Sequence, residues 1–70
     1  MEIKATMAGT VFQILVAEGE TVEKGQTVVL LESMKMEIPI EAEMSGKVKE
    51  ILVAEGDFVN EGDGLLALEA

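Results

Sequence analysis

Ile14-Leu15-Val16-Ala17-Glu18-Gly19 recurs unchanged as Ile51-Leu52-Val53-Ala54-Glu55-Gly56. Working outward from this match, residues 1–33 align with residues 38–70 without a gap, and fifteen of the 33 pairs are identical. Among them are Ile3/Ile40, Ala5/Ala42, Met7/Met44, Gly9/Gly46, Val11/Val48, Val22/Val59, Gly25/Gly62 and Leu31/Leu68. A repeat unit this small cannot bury its apolar face alone, so the two copies should pack about a pseudo-two-fold axis. Met34, Lys35, Met36 and Glu37 fall between the copies. The repeat builds a scaffold, and the residues that break it are free to carry chemistry.

Val11 to Ala17, repeated with substitutions as Val48 to Ala54, reads as strand. Val11, Ile14 and Leu15 fit a helical spacing, but Glu18 takes the next apolar position and Gly19 follows at once. The segment is too short for a globular helix and is rich in Val and Ile. Ile3, Ala5 and Met7 alternate with polar residues, as do Ile38, Ile40, Ala42 and Met44, which predicts half-buried strands. The unbroken runs Val28–Leu31 and Leu65–Leu68 suit strands covered on both faces. Gly9/Gly46, Gly19/Gly56 and Gly25/Gly62 mark turns. Val22 and Val59, each alone between two turns, should pin very short strands. The sum is about four short strands per copy and an all-β sandwich or barrel. Pro39 falls early in a strand, where it is tolerated.

Composition narrows the function. Seventy residues make one domain, residues 1–70, which buries only about 60% of its unfolded surface. There is no Cys or His, so neither a disulfide nor an ordinary zinc site is available. A net charge of −9, from fourteen carboxylates against five lysines, leaves no basic stripe for nucleic acid. No apolar run is long enough to span a membrane. Met1-Glu2-Ile3-Lys4 lacks the blocks of a signal peptide, so a cytoplasmic protein is expected.

Lys35 stands apart. The strand ending near Leu31-Glu32 must reverse into the one starting near Glu37-Ile38, which puts Met34-Lys35 at the tip of a tight hairpin. A lysine at a turn is ordinarily a solvated charge. However, Lys4, Lys24, Lys47 and Lys49 each have a counterpart in the other copy, and Lys35 has none. It presents a primary amine on a flexible stem, and adaptable methionines flank it.

Glu32-Ser33-Met34-Lys35-Met36-Glu37 resembles the attachment motif of biotin carboxyl carrier domains, commonly Glu-Ala-Met-Lys-Met. Met7–Val11, Val16–Val22, Gly25–Thr27, Gly46–Val48 and Gly56–Val59 follow the same family's pattern in order, so the resemblance covers essentially the whole chain. It is nearest to the small stand-alone biotin/lipoyl attachment proteins. The resemblance implies a flattened barrel-sandwich hybrid of two four-stranded antiparallel sheets. It implies biotin joined covalently to Lys35 by a biotin protein ligase. Met34 and Met36 would serve in recognition, and Glu32, Ser33 and Glu37 would form the motif's surroundings. The tethered biotin would carry a carboxyl group from biotin carboxylase to carboxyltransferase. The chain itself would be a non-catalytic carrier, and lacking His, Cys, Tyr and Arg it suits that part. Ser33 replaces the usual Ala, and Thr6 and Ala8 occupy places where Pro is common. No inserted thumb separates the copies. Other readings share the fold: lipoate on the same lysine, added by a lipoate ligase, either instead of biotin or in a dual biotin/lipoyl acceptor, and an unmodified interaction module. Met-Lys-Met favours biotin, and the presence of the lysine argues against the module.

Overall fold

Eight strands make up the regular structure of the computed structural model, which describes residues 1–69: β1 (Glu2–Lys4), β2 (Gly9–Ile14), β3 (Thr21–Val22), β4 (Thr27–Ser33), β5 (Met36–Glu41), β6 (Gly46–Ile51), β7 (Phe58–Val59) and β8 (Gly64–Glu69). The sequence repeat places β2 on β6, β3 on β7, β4 on β8, and β1 on part of β5. There is no helix among the described residues, and hence none long and apolar enough to cross a membrane. No connection between strands exceeds six residues, so nothing like a thumb protrudes.

The strands form two four-stranded antiparallel sheets, ordered β1-β8-β6-β3 and β5-β4-β2-β7. Each copy of the repeat contributes two strands to each sheet. Neither sheet can close without both copies, which gives the pseudo-two-fold arrangement its physical basis. The core between the sheets holds symmetric pairs such as Ile3/Ile40, Val11/Val48, Val22/Val59 and Leu31/Leu68, and no buried polar or charged residue is found among the described residues. Val22 and Val59 do pin two-residue strands, at 0% and 2% exposure. Pro39 lies on β5, an edge strand, where its missing N–H interrupts no interior ladder.

Carboxylates and amides fasten the turns, again in symmetric sets. In Ala17-Glu18-Gly19-Glu20 the Ala17 N–H donates to Glu20 Oε1 at 2.9 Å, and in Ala54-Glu55-Gly56-Asp57 the Ala54 N–H donates to Asp57 Oδ2 at 2.9 Å. The next turn of each copy repeats the device, from Glu23 N–H to Gln26 Oε1 at 3.0 Å and from Asn60 N–H to Asp63 Oδ2 at 2.9 Å. Glu18 and Glu55 reach across to the opposite copy. The Ile51 N–H donates to Glu18 Oε2 at 3.2 Å, and the Ile14 N–H to Glu55 Oε2 at 3.0 Å. Five of the fourteen carboxylates thus serve backbone amides.

The sequence reading needs four corrections. β2 and β6 end at Ile14 and Ile51, so Leu15, Val16 and Ala17, like Leu52, Val53 and Ala54, lie in the connections and not in strand. Met7 and Met44 are exposed and lie outside the strands, because the inward alternation ends at the buried Ala5 and Ala42. The runs Val28–Leu31 and Leu65–Leu68 are not covered on both faces. Register shifts between Thr27 and Val29 on β4, and beside Leu65 opposite Ile3/Lys4, let two successive residues turn inward, while Leu30 and Ala67 lie half-buried on the outer faces. Gly9 and Gly46 are not turn residues but begin β2 and β6. A Cβ on Gly9 would lie 2.9 Å from the Glu32 carbonyl oxygen, and one on Gly46 would lie 2.8 Å from that of Glu69, so close approach of backbones excludes a side chain.

Gly25 and Gly62 do hold the positive φ expected of them, 88° and 90°. No atom lies within 4 Å of a Cβ built at Gly25, so a substitution there tests backbone strain alone. Gly25→Val is expected to destabilise the domain by about 2 kcal/mol, because a β-branched residue is an outlier at this φ. The melting temperature should fall by roughly 8–16 °C in a domain of this size. A thermal melt superimposable on wild type would show that the turn accommodates the side chain.

Candidate functional site

β4 and β5 are joined by Met34 and Lys35 alone, with Ser33 paired to Met36 across the strands. Both loop residues have positive φ, 51° for Met34 and 64° for Lys35. Two successive left-handed residues define the primed two-residue hairpin, whose twist matches that of the flanking strands. Asn-Gly would fill such a turn at least strain. Met-Lys fills it at a cost of about 1–2 kcal/mol per residue. Six register pairs between β4 and β5, and the buried Leu31 beneath them, hold the turn in place.

The hairpin presents its side chains outward. Met34 is 89% exposed and Met36 60% exposed, and Lys35 is also exposed. Ser33 and Met36 continue the inward-facing row of Leu31 and Ile38 beyond the end of the core. Glu32 and Glu37 lie directly opposite one another on the outer face, both exposed. This is an unfavourable juxtaposition for strand pairing, so pairing energy is not the reason for it. The structure therefore brings all six predicted residues to one hairpin. The sequence reading found the tip but not the strained φ values, since neither Met nor Lys signals them.

A groove of about 390 Å³ lies elsewhere, among Lys4, Lys24, Pro39, Glu41 and Glu43. It includes none of residues 32–37. Among the described residues no cluster of acidic side chains is placed to hold a metal ion.

Relief of the turn strain gives a measurable expectation. Asn tolerates the left-handed region and favours this turn, so Met34→Asn should stabilise the domain by about 0.5–1 kcal/mol. A rise of roughly 2–8 °C in Tm is expected. An unchanged or lower Tm would mean that Met34 is not strained where it stands.

The comparisons with known proteins agree with this geometry. The sequence model of the family described as Biotin-requiring enzyme matches residues 1–68. The methylmalonyl-CoA carboxyltransferase 1.3S subunit of Propionibacterium freudenreichii is 67% identical over 36 residues, which are 51% of this chain and 29% of that subunit. The biotin/lipoyl attachment protein of Bacillus subtilis is 57% identical over 40 residues, 57% of this chain and 55% of the relative. These matches span 29% and 55% of the relatives' lengths. The urea carboxylase of Kluyveromyces lactis contains a region superposable on 99% of this chain with a TM-score of 0.92 and 33% identity, covering 6% of that larger chain. Family sequence, barrel architecture and an exposed lysine hairpin coincide, and the chain belongs to the biotin/lipoyl family whose description is Biotin-requiring enzyme.

Proposed function

We propose that residues 1–70 form a single non-catalytic carrier unit in which Lys35 bears covalent biotin. The observation that carries this reading is the placement of Lys35 at a strained, exposed two-residue turn between Met34 and Met36. A turn tip is where another protein's active site can reach an amine. A biotin protein ligase would supply biotin as its acyl adenylate. The deprotonated Lys35 Nζ attacks the acyl carbon, the bond to the phosphate oxygen breaks, AMP leaves, and an amide forms. Because ligation consumes ATP, the cytoplasm is the setting that suits it.

Once joined, the biotin is confined to a small volume around the hairpin. That confinement raises its effective concentration at each partner site. The partners are a biotin carboxylase, which loads the ureido ring, and a carboxyltransferase, which unloads it. The carboxyltransferase subunit and the carboxylase among the similar proteins support this pairing. The carrier contributes position only: Lys35 holds the arm, and the β4–β5 pairing holds Lys35.

Intact-mass and fragment-mass spectrometry after incubation with biotin protein ligase, and separately with lipoate ligase, tests the reading. A single biotinyl adduct on Lys35 is expected. A lipoyl adduct alone would transfer the protein to acyl or aminomethyl carriage, and no adduct from either ligase would leave an interaction module.

A further inference from the structure

The pseudo-two-fold axis pairs the outer faces of the two sheets residue by residue, and their chemistry differs. The strands of the β1-β8-β6-β3 sheet carry three lysines and three glutamates. The strands of the β5-β4-β2-β7 sheet, which bears the Lys35 hairpin, carry Glu32, Glu37 and Glu41 and no lysine at all. Position by position, Lys49 is replaced by Phe12, Thr21 by Phe58, Lys47 by Thr10, Lys4 by Glu41, and Glu2 by Pro39. Phe12 and Phe58 are the only aromatic residues in the chain, and they are 48% and 66% exposed. Phenylalanine is among the residues most often buried, and a core of aliphatic side chains leaves both of these outside.

The register ties the two phenylalanines to the hairpin. Phe58 faces Thr10 across β7 and β2, Thr10 faces Glu32 across β2 and β4, and Glu32 faces Glu37 across β4 and β5. Residues directly opposite in a sheet share a face, so this row runs on one outer surface from Phe58 to the residues adjoining the Lys35 turn. Phe12 is the unpaired residue of a bulge on β2 between Val11 and Gln13, and it is exposed where the neighbouring Val11 is buried, which puts it on the outer side of the same sheet.

We infer that this acidic, aromatic face is the docking surface for a biotin carboxylase subunit, which would offer basic side chains around an apolar recess. The inference rests on the carrier reading above. Exposed aromatic anchors ringed by charge are the composition of a protein interface. Biotin carboxylation consumes ATP and bicarbonate, both anions, so the mouth of that active site must be electropositive, and an acidic face complements it. A second copy of this chain would set Glu32, Glu37 and Glu41 against themselves, and an anionic lipid surface would be repelled in the same way.

The test exchanges the face for its symmetry mate. Phe12→Lys with Phe58→Thr installs residues that the fold already carries at Lys49 and Thr21. The variant and wild type are biotinylated to completion, as judged by intact mass. Each is then assayed with a biotin carboxylase subunit that turns over the wild-type carrier. The carrier KM should rise about tenfold or more with kcat unchanged, as expected for loss of two anchors. Lys49→Gln, on the opposite sheet, should leave KM unaltered. In amide NMR of the wild-type carrier titrated with the carboxylase, Thr10, Phe12, Glu32 and Phe58 should be perturbed and Lys47 and Lys49 should not, a readout independent of the variant's folding. An unchanged KM in the fully biotinylated variant overturns the inference. Slowed biotinylation with unchanged KM also overturns it, by assigning the face to the ligase. A wild-type chain that takes no biotin overturns the carrier reading itself.

Discussion

Lys35→Arg is expected to abolish acylation while leaving the barrel intact. The guanidinium stays protonated at any accessible pH and cannot attack an acyl adenylate. Arg is no more strained than Lys at φ 64°, and the side chain is exposed. Tm should therefore shift by no more than about 4 °C, the range of a surface substitution in a domain of this size. Mass spectrometry after exhaustive incubation with biotin protein ligase should show the unmodified mass. Lys4, Lys24, Lys47 and Lys49 remain available in the variant, and three of them lie on the strands of the opposite sheet. An adduct on any of the four would reassign the site.

The largest loss of stability is expected at Leu31. It is fully buried on β4, paired with Val11 on β2 and Ile38 on β5, two strands to which the hairpin is anchored. Leu31→Ala removes buried methyl groups and leaves a cavity, at a cost of about 3–5 kcal/mol. A domain of this length has in total only about 4–10 kcal/mol. The variant should melt at least about 12 °C below wild type and be partly unfolded at physiological temperature. Leu30→Ala, one residue away but half-buried on the outer face, should cost far less. Equal losses in the two variants would mean that the inward and outward assignments of β4 are wrong.

The fold was largely legible because the chain states it twice. A solitary Val22 could be a loop residue, but with Val59 at the same place in the second copy it reads as a pinned strand, and both are buried. The hairpin was legible from a shortage of residues between Glu32 and Glu37, which allows only a tight reversal. What escaped was information carried by neighbours far away in sequence. Gly9 must be glycine because the Glu32 backbone passes over it, and nothing near Gly9 in sequence announces this. Val28 and Val29 both turn inward through a bulge, whereas a regular strand would alternate. The lysine-free face was legible only as the set of places where the copies disagree, Phe12 against Lys49 and Thr21 against Phe58. Its meaning depended on knowing which strands share a sheet.

Because each copy gives two strands to each sheet, the halves are held by hydrogen bonds and core packing as well as by the peptide link at Met34-Lys35. A protease that cut at this exposed tip would nick the chain without releasing either part, since Leu31 would still face Ile38 and Thr10 would face Phe58 in one sheet, while Ile3 would face Leu66 and Val22 would face Gly46 in the other. Two separately made half-length peptides would, by the same topology, find their missing strands only in each other. The domain is in effect an internal heterodimer, joined at the one turn that bears its lysine.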